Sequence, residues 1–236
     1  MATVALAGGG TAGHIEPALA VARQWMKTNP SDKCIFLGTK SGLENTLVPA
    51  AGFELRLIPK VAISRTPSAS WLRIPFDLIS SVVSSIKVVK KADVLVGFGG
   101  YASGPGGIIA ALTRRPLVLH EQNAVAGFTN RMLAQVAQQV IEAFPATFGQ
   151  ADNVHTLGNP VREEVLALRE STAPVSQLNH ILVLGGSLGA QSLNQWVPEA
   201  IAAMPPEQRP QVWHQAGAQK TAPVTALYAQ KGVAAR

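Results

Sequence analysis

The chain has 236 residues, of which 47% are apolar and 14% charged, with a formal net charge of +6. That balance excludes an intrinsically disordered chain, and the lone cysteine, Cys34, excludes a disulfide framework. At about 150 residues per domain, the length allows one or two domains.

Met1–Ala7 carries no basic leader and no cleavable apolar stretch, so no signal peptide is expected. No window of about 20 uncharged apolar residues occurs, so no membrane span is expected either. Together with the single cysteine, this predicts a cytosolic protein. The positive charge is concentrated: between Arg56 and Lys91 there are seven basic residues and one acid, Asp77, a window that nets the +6 of the whole chain. Such a basic, apolar stretch suggests an anionic surface nearby.

The first unit reads as a strand at Thr3–Ala7, the turn Gly8-Gly9-Gly10-Thr11-Ala12-Gly13-His14, and a helix from about Ile15. Gly8-x-Gly10-x-x-Gly13 is literally the dinucleotide fingerprint. The acid that would hold a ribose at the end of the second strand (34–38) is missing, and the nearest, Glu44, falls in the next helix (43–50). A nicotinamide or flavin cofactor is therefore disfavoured. His14 either caps and packs at the helix start or serves as a base or hydrogen-bond donor beside a bound phosphate. Glu16 either orients it or favours the helix N-terminus.

A third strand is expected at 54–58, and the runs 94–96 and 117–119 read as strands buried on both faces. Between them, Trp71-Leu72-Arg73-Ile74-Pro75-Phe76 leads into a helix with apolar residues at 72, 76, 79, 83 and 86 and serines at 80, 81, 84 and 85. The helical part is expected to face the core with its apolar stripe. Trp71 with Arg65 and Arg73 suits an interfacial patch on anionic lipid. The second glycine-rich stretch, Gly97 through Gly107, follows the fourth strand and includes Ser103. It is either a further anion cradle or a tight turn with close helix packing. His120-Glu121-Gln122-Asn123, just past the fifth strand, offers four hydrogen-bonding side chains, suited to a polyol or to helix capping.

Near Gly158-Asn159-Pro160-Val161-Arg162 the alternation stops, and a new unit opens with a strand at 181–184 and the turn Gly185-Gly186-Ser187-Leu188-Gly189-Ala190. A second strand is expected at 211–214. This second half looks cut short, since two strands do not make an independent sheet. No Asp-x-Asp pair exists and the five histidines are scattered, which disfavours a divalent metal. There is also no Walker-type phosphate loop.

Three glycine turns, each between a strand and a helix, point to phosphates on two molecules handled by an α/β, doubly wound protein. The collinear series GGGTAGHIEPALAVA, GFGGYASGPGG, LHEQNAVAGFTNR, GNPVR and GGSLGAQSLN closely resembles the MurG family. These are the cytoplasmic N-acetylglucosaminyltransferases that convert lipid I to lipid II in peptidoglycan synthesis.

The resemblance implies a GT-B type fold of two Rossmann-like domains. The first, at 1–160, would bind the acceptor and membrane, a linker would span 161–178, and an incomplete UDP-GlcNAc domain would fill 179–236. It implies a peripheral enzyme on the cytoplasmic face of the plasma membrane. Its partners would be UDP-GlcNAc, lipid I and the anionic inner leaflet, with no cofactor, no metal and no nucleic acid.

By position, Thr11, Ala12, Gly13, Asn123, Arg162 and Ser187 match residues that contact the donor. Ala12 replaces a glycine found in many members. His14 resembles the candidate base, and Gly99, Gly100, Tyr101, Ser103 and Gly104 resemble the loop for the acceptor diphosphate. Trp71, Leu72, Arg73 and Phe76 resemble the membrane patch. Family members continue well past the position of Arg236, so the alternative is an inactive fragment that binds lipid I or membrane but not the donor.

Overall fold

The computed structural model describes residues 1–60, 74–169, 180–186 and 188–236. The chain divides into two compact units, Met1–Ser171 and Thr172–Arg236. The expected linker at 161–178 starts inside the first unit, with a short helix at Glu163–Ala167.

The first unit is built on seven strands: β1 (Thr3–Ala7), β2 (Lys33–Thr39), β3 (Glu54–Ile58), β4 (Val94–Gly97), β5 (Leu117–Glu121), β6 (Gln139–Glu142) and β7 (Val154–Thr156). They form one all-parallel sheet in the order β3-β2-β1-β4-β5-β6-β7. Alternate residues feed two cores. Val4, Leu6, Cys34 and Phe36 pack with Ile15, Leu19 and Ala22 of helix α1 (Ala12–Thr28) on one side. Ala5, Ala7, Leu37 and Leu95 pack with Ala102, Ile109 and Ala110 of helix α4 (Gly100–Leu112) on the other. Burial on both faces is why these strands read as continuous apolar runs.

Strand order reverses between β1 and β4, where Ala7 lies beside Gly97. In an open parallel sheet this is the point where the two following loops diverge and leave a crevice at the carboxyl ends. The first two glycine turns both emerge there.

Two short helices complete the first unit: α2 (Glu44–Ala50), between β2 and β3, and α5 (Phe128–Leu133), after β5. Helix α3 (Ile74–Val89) departs from expectation. Among the described residues of the expected apolar stripe only Ile86 packs against the core: Phe76, Ile79 and Val83 are 74%, 61% and 56% exposed, whereas Ser81 and Ser85 are fully buried beside Val88 and Val89. The helix lies against α4, and small side chains at the contact let two backbones approach closely. Ser85 meets its own needs by donating to the Ser81 carbonyl at 2.8 Å. Trp71, Leu72 and Arg73 lie outside the described residues.

After β7, the helix at Glu163–Ala167 is α6. The second unit contains β8 (His180–Leu184) and β9 (Gln211–Gln215), paired in parallel, with helices α7 (Gln191–Ala202) and α8 (Thr221–Gln230). Val183, Val212, Ile201, Val224 and Tyr228 form its core. The other face of this sheet is bare: Leu182 and Leu184 are 62% and 64% exposed and Trp213 is 49% exposed. Among the described residues, no helix is long and apolar enough to cross a membrane.

Candidate functional site

The first glycine turn crosses from β1 to α1, which starts at Ala12 rather than near Ile15. Gly10 has φ of +93°, a conformation that favours glycine. Its N–H does not face outward as an anion donor; it donates to the Glu44 carboxylate at 2.9 Å. Glu44 also accepts from the Thr39 N–H at 2.7 Å and the Thr39 hydroxyl at 2.9 Å, and is fully buried. Burial opposes ionisation of this carboxyl, but the hydrogen bonds from Gly10 and Thr39 outweigh it and hold it below the ordinary carboxylate value. In the sequence alone Glu44 reads as a helix acid in the wrong place for a ribose. The signal that could have marked it is its setting, an acid at the first position of a short helix behind Gly38, Thr39 and Gly42.

His14 sits in the first turn of α1, with Nδ1 2.9 Å from the Thr11 hydroxyl. Its other edge faces the start of α4: a methyl group added to Gly99 would lie 3.4 Å from Nε2 and 3.2 Å from Cδ2. Burial lowers the affinity of His14 for a proton, partly offset by the negative charges of Glu121 and Glu44. The neutral imidazole is therefore favoured, and in the tautomer that donates from Nδ1 to Thr11 the Nε2 lone pair is free.

The second glycine stretch is two things. Gly99 and Gly100, with φ of +84° and +77°, form the turn into α4. Gly104, Gly106 and Gly107 lie within the helix, where Gly107 makes room for Leu133. Tyr101, in the first turn of the helix, is exposed and carries the Lys60 ammonium 4.9 Å above its ring. Ser103 corrects an expectation. Its hydroxyl is fully buried and its one proton is shared between the carbonyls of Ala7 and Gly99 (2.8 Å for the latter), so it joins β1 to α4 and does not face a ligand.

Past β5, the four polar side chains are also mostly committed. Glu121 is buried and accepts from the Asn123 N–H, the Asn123 side-chain amide, the Gly127 N–H and the Asn130 amide, at 2.8–3.0 Å. Gln122 donates to the Phe98 carbonyl at 3.1 Å, and His120 Nε2 lies 3.2 Å from the Gly158 carbonyl. Asn123 is the exposed member of the group.

These elements border an open crevice of about 490 Å³, lined by Ala12, Gly13, Glu16, Gln122, Asn123 and Arg162 among others. Four of the six expected donor contacts thus come together, from α1, the β5 loop and the Pro160–Arg162 segment. Arg162 Nε lies 3.9 Å from Glu16 Oε2, both partly exposed. Thr11 is adjacent in sequence and bonded to His14. Ser187 lies outside the described residues, and its turn belongs to the second unit. There, Gly189 and Gly217 have positive φ and pack backbone against backbone, with Lys220 Nζ on the Gly189 carbonyl at 3.2 Å.

Comparison with known sequences settles the family. The glycosyltransferase family 28 N-terminal domain matches residues 4–142, and the C-terminal domain of the same family matches 180–235. The chain belongs to glycosyltransferase family 28. Within it, the chain is 44% identical to a protein of Nitrosococcus oceani and 44% identical to one of Pseudomonas fluorescens. Both are named UDP-N-acetylglucosamine–N-acetylmuramyl-(pentapeptide) pyrophosphoryl-undecaprenol N-acetylglucosamine transferase. Each alignment covers 99% of this chain and 66% of the relative, so the chain spans just under two-thirds of the length of the relatives it matches. The crystal structure of Acinetobacter baumannii MurG superposes with a TM-score of 0.73 at 35% identity, over 100% of this chain and 65% of that one. Anabaena HepE, solved with UDP, superposes at 0.65 with 16% identity over 100% of this chain and 68% of that one, a likeness of fold alone. The family 28 chain thus has an α/β fold of the GT-B type, with a Rossmann-like first unit and two parallel strands of a second.

Proposed function

We propose that this chain provides the acceptor half and part of the donor half of an inverting N-acetylglucosaminyltransferase. The reaction would carry GlcNAc from UDP-GlcNAc to the C4 hydroxyl of MurNAc on an undecaprenyl-pyrophosphoryl acceptor, as in the conversion of lipid I to lipid II. The observation that supports it best is the crevice where Ala12, Gly13, Asn123 and Arg162 converge, with His14 next in sequence to Gly13. The C4 oxygen attacks C1 of GlcNAc, the C1–O bond to UDP breaks, and UDP leaves with the electron pair. The hydroxyl proton passes to His14 Nε2, whose ring is held by Thr11 and whose neutral form is favoured by burial. Asn123, whose side-chain amide donates to Glu121, would hold the sugar with its remaining hydrogen-bonding capacity. The acceptor diphosphate would sit at the start of α4, where unpaired N–H groups and the helix dipole favour an anion. Exposed Phe76, Ile79 and Val83 on α3, with Lys87 at its end, support a peripheral contact with the inner leaflet.

The test is calorimetric titration of UDP-GlcNAc into the 236-residue chain after a cooperative melt has been recorded. Micromolar binding, lost in Asn123→Ala, is the expected result. A folded chain with no donor binding favours the alternative, a fragment that takes the acceptor or membrane alone.

A further inference from the structure

The Glu44 carboxylate has no exposed surface and no basic partner among the described residues, yet it is ionised and lies directly under the first glycine turn. Its acceptor sites are filled from two elements: the end of β2 through Thr39, and the turn itself through Gly10. Three glycines are shaped around it. A methyl group on Gly9 would stand 2.6 Å from Oε1, one on Gly42 would overlap the carboxylate outright, and one on Gly38 would overlap its side-chain methylenes. A carboxylate boxed in by glycines and bonded by three donors has one position open to it. It therefore dictates which way the Gly10 peptide points, and with it where Thr11 and His14 enter α1.

We propose that Glu44 is a positioning residue for His14: by drawing the Gly10 N–H inward it fixes the turn so that the imidazole is held between Thr11 and the Gly99 turn. This rests on the transferase reading for its catalytic meaning, but the geometry concerns the turn alone. Two carboxylates act on the His14 ring from opposite elements, Glu121 at the end of β5 and Glu44 at the start of α2. Thr11 and the Gly99–Gly100 turn complete its surroundings. Glu44→Gln keeps the shape but removes the charge, and sets an NH2 group against an N–H donor.

The experiment is a histidine side-chain NMR titration of the full chain and of Glu44→Gln. The five histidines serve as mutual controls. The expected result is a lower titration midpoint for His14 in the variant, with the other four unmoved. In the unmodified chain, the Gly10 amide is expected to exchange with solvent at least about 100-fold more slowly than a free peptide, as a bonded buried N–H does. A His14 midpoint that stays put in a folded variant overturns the proposal, reducing Glu44 to a local buttress. If the variant does not fold, a Gly10 amide exchanging at the free rate in the unmodified chain overturns it equally. Where the unmodified chain transfers GlcNAc, Glu44→Gln should lower kcat on the order of 100-fold with less change in KM for UDP-GlcNAc. If it transfers nothing, the transferase reading fails for this chain, while the NMR result still decides the role of Glu44.

Discussion

Glu121 holds Asn123 twice, accepting its backbone N–H at 3.0 Å and its side-chain amide at 2.8 Å through one carboxylate oxygen. The other oxygen takes Gly127 and Asn130, so one buried residue shapes the whole loop after β5. Glu121→Ala strands these donors. It should cost about 2–4 kcal/mol in urea unfolding and weaken UDP-GlcNAc binding as much as Asn123→Ala does. A variant of unchanged stability would show that the loop holds itself.

Burial lowers the proton affinity of both His14 and His214. Each takes up a proton less readily folded than unfolded, so the unfolded chain gains protons first as pH falls. Their contribution to stability is complete above the ordinary histidine value of about 6.5. It is lost as the pH drops through their lower folded-state values. Thermal melts should therefore fall between pH 7 and 5, and His214→Asn should make that slope shallower. A flat profile would contradict the burial of both rings.

Gly100 and Gly104 are four residues apart and predict opposite outcomes. Gly100 has φ of +77°, and a methyl group there overlaps the Gly9 carbonyl, so Gly100→Ala should destabilise by about 2–4 kcal/mol. Gly104 lies inside α4 with Thr129 Cγ2 at an ordinary 3.7 Å, so Gly104→Ala should be neutral or stabilise by up to about 1 kcal/mol. Chemical denaturation of the pair checks both.

Replacing Phe76, Ile79 and Val83 together by serine removes the outward stripe of α3 without touching either core. The melt should be unchanged. Sedimentation with vesicles containing anionic phospholipid should fall about tenfold or more, since each apolar side chain contributes on the order of 1 kcal/mol when inserted. Equal vesicle binding by the variant would assign the stripe another role.

Much of the fold was legible in sequence because its strands are buried on both faces. The run at 3–7 and the apolar residues at 34–38, 54–58 and 94–96 correspond to β1–β4. Strands β6 and β7 were not foreseen: β6 has two apolar residues between Gln139 and Glu142, and β7 is three residues long. They exist because β5 offers an open edge and Glu142 gathers the Ala146 and Phe148 amides and the Thr156 hydroxyl. The orientation of α3 was misread because periodicity identifies a stripe but not what it faces, and serines pack close helices as well as they meet water. At the site, residue types were legible and their commitments were not. Ser103 and His120 look like ligand contacts in a string of letters, and only the fold shows carbonyls already claiming them, whereas Gln122 gives its amide N–H to Phe98 and still lines the crevice.

The box of glycines around Glu44 bears on how this turn can change over evolutionary time. An alanine at position 9 or 42 meets the carboxylate while Glu44 is present, and loss of Glu44 leaves Gly10 and Thr39 without an acceptor. Neither step is easy alone, although loss of Glu44 removes the obstacle to the alanines. The four positions 9, 38, 42 and 44 should therefore be exchanged as a set or retained as a set, with single substitutions filtered out in between.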